Sequence, residues 1–293
     1  MVNTLLEPQT LEELADAVRD AGRMEVLGSG SHVAFDVRGP EGCAGLDDWS
    51  VALGHPTVLM MHRLSGIVEH HPEDMVVVVR AGTRLTDLQN SLAERGQCIP
   101  WASPLGDIGT VGGLLALGPP NGLEARCGGW RDWCLGMTIV RPDGRVARSG
   151  SQAVKSVAGY DVHKLMIGAR GTLGVIAEVI LRTLPLGARP EPTWSVAGSL
   201  SASELRIQRT LATDFAALLS AARDVAHVAD EATCTLWSAD SELPRFEHDW
   251  VMRAGCGPRN LEPFDAVHTG WMRSAKKLLD PEGKLNPGAL EAI

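Results

Sequence analysis

The chain has 293 residues, 44% of them apolar and 22% charged, which is long enough for about two domains and has the composition of an ordinary globular protein. Its formal net charge of −9 argues against nucleic acid and anionic membranes as partners, because phosphate binding draws on clustered lysine and arginine. No apolar run is long enough to make a transmembrane segment. The N-terminal stretch carries Glu7, Glu12 and Glu13 without a basic run, so a cytoplasmic location is expected.

Six cysteines are scattered without a C-x-x-C pair, which leaves no seed for zinc or an iron–sulfur cluster and makes free thiols the expectation. Cys127 and Cys134 lie near each other, as a redox couple or as two small core residues.

In chain order, Thr10-Leu11-Glu12-Glu13 reads as a capping box, followed by helical spacing of Leu11, Leu14, Ala15 and Val18 up to a stop at Gly22. A strand over 24–27 runs into Gly28-Ser29-Gly30-Ser31-His32. That run is either a plain turn or a cradle of N–H groups and hydroxyls for a pyrophosphate. It is not a dinucleotide fingerprint, because Val33 stands at the third glycine position and Pro40 breaks any helix beyond it. Strands are expected over 57–61 and 75–80, with a turn from Gly66 to Glu73 between them. His70 and His71 are adjacent and would point to opposite faces of a strand, which does not make a metal site. Thr83 is expected to cap a helix striped by Leu85, Leu88 and Leu92 and ended by Gly96.

A second glycine-rich loop comes next, with Gly106, Gly109, Gly112 and Gly113 flanking Thr110. Small residues with little charge suit a flat, partly apolar ligand approached by backbone. Arg131-Asp132 is either a structural ion pair or a ligand-side feature, and 137–150 reads as a hairpin turning at Pro142-Asp143-Gly144. Residues 154–183 then join a short helix, a third glycine-rich turn at Gly168, Gly171 and Gly174, and a long strand in which Val175, Ala177, Val179 and Leu181 alternate with Ile176, Glu178, Ile180 and Arg182. Beyond Pro185 a Pro-, Gly- and Ser-rich stretch marks a boundary. A main helix is expected over 203–225, a weakly patterned region to about 265, a helix near 271–279, and a rigid extended tail over 280–288.

Three glycine-rich segments on a mixed frame exceed what chance turns supply. Together with AGTRLTDLQNSLAERGQ, DIGTVGG, GGWRDWCLGMTIVRPDGRV, VKSVAGYDVHKLMIGARGTLGVIAEV and LDPEGKLNPG, the chain resembles the FAD-linked oxidases of the vanillyl-alcohol oxidase type. Within them it is most similar to FAD-binding subunits of bacterial glycolate oxidase. The resemblance implies an α+β fold: a PCMH-type FAD-binding domain of two α/β subdomains over 1–188, a shortened cap over 189–275, and a tail over 276–293 returning to the first domain.

It further implies FAD against Gly28, Ser29, Gly30, Ser31 and His32, against Gly109, Thr110, Gly112 and Gly113, and against Gly168, Gly171, Thr172, Gly174 and Ile176. The cofactor is expected to be held non-covalently, with His32 as the position where relatives form a covalent bond. A small 2-hydroxy acid is the implied substrate, with partner flavoprotein and iron–sulfur subunits completing a complex. The His-rich HxGDGNxH stretch of hydroxy-acid relatives is absent, so none of His227, His248 and His268 is assigned as a base. A stand-alone oxidase and a non-catalytic assembly subunit are the competing readings. On the close-approach argument, Gly112→Val and Gly171→Val are expected to abolish flavin binding while sparing the fold.

Overall fold

The computed structural model describes residues 4–29, 57–104, 106–107, 109–152, 161–198, 200, 205–239, 243–244, 250–253 and 266–286. Strands β1 (Thr4–Leu6), β2 (Glu25–Leu27) and β3 (Thr57–Met60) form a parallel sheet in the order β1-β3-β2. Parallel neighbours need a crossover, and helix α1 (Leu11–Asp20) joins β1 to β2. Thr10 caps it with its hydroxyl, which accepts the Glu13 N–H, but the second half of the capping box differs: the Glu13 carboxylate accepts the N–H of Gln9, not of Thr10. The helix stops at Ala21, one residue short of the expected Gly22. Leu14 and Val18 pack with Met24, Leu59, Val140, Val175 and Leu285, so the two sheets of this half share a core.

The second sheet is antiparallel, ordered β4-β5-β9-β7-β8 from β4 (Ile67–His71), β5 (Val76–Arg80), β7 (Cys134–Val140), β8 (Val146–Gly150) and β9 (Val175–Arg182). The turn expected over Gly66 to Glu73 is in fact the edge strand β4, hairpinned onto β5. Its residues are mostly exposed, so no alternation of buried and exposed positions signalled a strand. In β9, Val175, Ala177, Val179 and Leu181 are fully buried, as the alternation required. Helix α2 (Leu85–Ala93) covers this sheet with Leu85, Leu88 and Leu92. Its cap is not Thr83, whose hydroxyl instead bonds the backbone of Gly66; Arg84 takes the cap position without a side-chain bond. Strands β6 (Gln97–Cys98) and β10 (Leu184–Pro185) pair antiparallel.

Part of the second glycine-rich loop is helical. Thr110 caps α3 (Val111–Leu117), accepting the N–H of Gly113, and Gly118 closes it in the left-handed conformation with φ of 63°. Two glycines in one turn cost about 1 kcal/mol each in helix propensity, and that hid the helix. Its buried Val111, Leu114 and Leu115 outweigh the cost. Short helices α4 (Glu124–Cys127), α5 (Trp130–Trp133) and α6 (His163–Met166) come after it.

His163 is buried and its Nδ1 lies 3.0 Å from the Ser149 hydroxyl, tying α6 to β8. Burial holds the imidazole below its ordinary value of 6.5, outweighing the Asp161 carboxylate, which pushes the other way. The folded chain therefore binds this proton more weakly than the unfolded one. The stability it contributes is complete above the unfolded value and is lost as pH falls through the lower folded value. Wild type should lose more urea resistance than His163→Gln on going from about pH 7.5 to about pH 5; equal losses in the two proteins would remove His163 from the pH response.

The C-terminal sheet is antiparallel, ordered β11-β13-β14-β12-β15 from β11 (Ser195–Ala197), β12 (Leu205–Arg209), β13 (His227–Asp230), β14 (Thr235–Ala239) and β15 (Trp250–Arg253). The helix expected over 203–225 is therefore β12 followed by α7 (Ala212–Ala221), and the weakly patterned stretch supplies three strands. No glycine or proline separates β12 from α7. Buried Arg206, Gln208, Thr235 and Ser238 mask the period of two. In the register Arg206↔Ser238 and Gln208↔Leu236, these residues share the face that α7 covers through Phe215 and Leu218. Ile207↔Trp237 and Arg209↔Thr235 lie on the opposite face.

Helix α8 (Ala266–Leu279) leads into the tail. Buried Asp280 accepts the N–H groups of Lys284 and Leu285 at 3.0 and 2.9 Å and the ammonium of Lys276. Lys276 also donates to the carbonyls of Thr172 and Leu285, each at 2.7 Å. Leu285 bridges in parallel to Met24 beside β2.

Candidate functional site

The three glycine-rich segments meet. A Cβ on Gly28 would stand 2.2 Å from the Thr110 hydroxyl, so the end of β2 abuts the cap of α3 and admits only glycine. The other end of α3 receives the third segment, where the N–H groups of Gly168 and Arg170 donate to Leu115 and Ala116 at 2.9 and 2.7 Å. Gly171, with φ of 67°, faces the amide of Asn286. Asn286 closes the ring: its Oδ1 accepts the Val26 N–H and its Nδ2 donates to the Arg170 carbonyl, both at 2.6 Å. This residue joins the first segment to the third and was missed as a site residue. Its signal in the sequence was the tail motif LNPG.

The predicted site residues divide. Gly30, Ser31 and His32 lie outside the described residues. Gly112 serves packing: its N–H donates to the Ala81 carbonyl at 2.8 Å, and a Cβ there would stand 2.6 Å from that of Ala81. The expectation that Gly112→Val spares the fold is therefore corrected. The amides of Val111 and Gly113 are likewise engaged, by the Thr83 carbonyl and the Thr110 hydroxyl. Gly174 makes only ordinary contacts, and Ile176 is buried in the core. Gly168 and Thr172 line a cleft of about 630 Å³, a usual size for a small-molecule site.

That cleft lies where α3, α5, the third glycine segment, β12 and α8 come together. Leu117, Pro119, Pro120, Leu165 and Trp271 give it an apolar lip, and Leu165 and Trp271 are exposed. At Gly168, with φ of 80°, a Cβ would meet no atom within 4 Å, so backbone borders open space. Such walls suit one flat, largely apolar ring. The cleft also carries charge. Arg209 reaches from the C-terminal sheet to Glu124, with Nη2 to Oε2 at 2.8 Å and Nη1 to Oε1 at 3.3 Å. Arg131 and Asp132 are not paired with each other: Arg131 donates weakly to the Ile167 carbonyl at 3.4 Å, and Asp132 accepts the Gly129 N–H at 2.9 Å. Trp130 stacks on Trp101 at 5.1 Å.

Other candidates have structural roles. His70 contacts Gln97, His71 contacts Glu69, and His227 bonds the Val225 carbonyl. Cys134 is a core residue whose thiol burial pushes up to about 12, which leaves it inert at neutral pH. No helix among the described residues is long and apolar enough to cross a membrane.

The FAD binding domain family matches residues 2–150. Glycolate oxidase subunit GlcE of Escherichia coli is 32% identical over 66% of this chain and 51% of its own length. A D-lactate dehydrogenase of Anaerostipes hadrus is 29% identical over 62% of this chain and 36% of its own. The chain thus spans about half or less of these relatives, both of which are named as oxidoreductases. Among solved structures, alkyldihydroxyacetonephosphate synthase superposes with a TM-score of 0.50 at 15% identity, over 96% of this chain and 50% of that one, a likeness of fold. Matched over half its length and sharing that α+β architecture, the chain belongs to the FAD binding domain family, in its PCMH-type form.

Proposed function

We propose that the chain is a FAD-binding oxidoreductase subunit of glycolate or D-2-hydroxy-acid oxidase type, which takes electrons from a small 2-hydroxy acid and passes them to a partner flavoprotein or iron–sulfur subunit. The reading rests on one observation above all: Asn286 and α3 gather the three glycine-rich segments beside an apolar cleft that opens to the C-terminal sheet. When bound, FAD would supply two-electron chemistry that no side chain offers. The residues that would hold it are Gly28 to His32, Gly109 and Thr110, and Gly168 to Gly174, with Gly168 bordering the ring. Lys276 and Asn286 fix the third segment in place, and the apolar lip would pack against the ring. The alternative of an assembly subunit draws on the amides of Gly112 and Gly113, which are engaged inside the protein.

The visible spectrum of the purified chain, before and after acid precipitation, tests this. Released FAD is the expected result, and flavin retained in the pellet would show a covalent bond, with His32 as the candidate. In Gly168→Ala the new methyl enters open space, but a φ of 80° strains it by about 1–2 kcal/mol, so FAD affinity should fall roughly tenfold with a modest loss of melting temperature. A chain that stays colourless after incubation with FAD would overturn the reading in favour of the assembly subunit.

A further inference from the structure

Arg209 ends β12 on the face of the C-terminal sheet opposite α7, and its guanidinium grips Glu124 of α4 through two contacts. The pair links that sheet to the FAD-binding half and lines the cleft. Both side chains are 32% exposed, so the pair is reached by solvent and is weak enough to exchange. Thr235, fully buried, holds Arg209 independently by accepting from Nε at 3.0 Å. The guanidinium therefore stays oriented when Glu124 leaves, with its bidentate edge presented. On the other side of the carboxylate is Gly129, where a Cβ would lie 3.2 Å from Oε1. Next to it Trp130, 7% exposed and packed against Trp101, also lines the cleft. Arg131 and Arg170 add positive charge to the same walls, while Asp132 is occupied in capping Gly129.

We infer that the Glu124 carboxylate is an internal stand-in for an anionic ligand: a small carboxylate entering the cleft displaces it from Arg209 and in doing so unfastens the C-terminal sheet from α4. Anion binding and loosening of that contact are then reciprocal, since what favours one favours the other. The inference takes from the proposed function only the chemical class of the anion.

Acetate titration of the full chain by calorimetry, at constant ionic strength and on both flavin-free and flavin-loaded protein, tests it. Glu124→Gln should bind acetate roughly tenfold more tightly than wild type, because the internal competitor is weakened. Gly129→Ala, whose methyl crowds Glu124 without removing its charge, should shift affinity the same way by a smaller factor. Adding Arg209→Gln to Glu124→Gln should abolish the gain. Unchanged or weaker acetate binding in both Glu124→Gln and Gly129→Ala would overturn the inference and leave the pair as a structural tie. Failure to bind flavin would count against the proposed function alone, because the acetate comparison is also made without flavin.

Discussion

Gly112→Val should unfold the FAD-binding half of the chain instead of emptying a cofactor site. The new Cβ would arrive 2.6 Å from the Ala81 Cβ and 3.0 Å from the Ala81 carbonyl oxygen, inside van der Waals contact where α3 meets the backbone just beyond β5. Neither partner is the tip of a flexible side chain. Valine adds two further methyls and a stiff χ1 in a helical turn. Overpacking of this kind costs about 3 kcal/mol or more, a large share of the roughly 5–15 kcal/mol that holds a domain together. The urea midpoint reads it directly. Gly112→Ala should show a smaller loss, and Ala81→Gly in the same chain should recover part of it, because the methyl-to-methyl clash is then gone. A wild-type midpoint in Gly112→Val accompanied by loss of flavin would return this glycine to the ligand.

Asp280→Ala should be nearly as damaging, at a residue that does not line the cleft. The carboxylate is buried and accepts two backbone N–H groups of its own turn together with the Lys276 ammonium. Its removal leaves those amides unpaired and takes from Lys276, largely covered, the carboxylate that balances its charge. Breaking a buried pair from one side costs about 3–5 kcal/mol, which for a chain of this size lowers the melting temperature by roughly 10 °C. Asp280→Asn keeps an acceptor and should lose distinctly less. A melting point within about 2 °C of wild type for Asp280→Ala would show that water replaces the carboxylate without penalty.

Legibility in the residues obeys a physical rule. Elements whose apolar pattern is clean were legible: α1 with its capping box, the leucine stripe of α2, and β9 with its strict alternation. The family was legible too, because glycine spacing and motif order survive when side chains drift. Elements that broke the rule were hidden. β4 buries too little to alternate, α3 has two glycines in its first turn, and β12 carries Arg206 and Gln208 on its buried face. Within the site, sequence pointed to where backbones come close but not to what they approach. Gly28 and Gly112 face Thr110 and Ala81, whereas Gly168 faces open space. The partners of Asn286 and of Arg209 could not be read, because they lie 260 and 85 residues away.

The first of those distances bears on how the protein is made. Val26 emerges from the ribosome early, yet its N–H is answered by a side chain that appears 260 residues later, and Met24 pairs with Leu285. During synthesis β2 can pair with β3 early, but its other edge stays open until residue 286 has been added. Closure of the tie between β2 and the third glycine segment is thus a late step, and the interval before it, while the strand edge is open, is when the nascent chain most needs protection from aggregation.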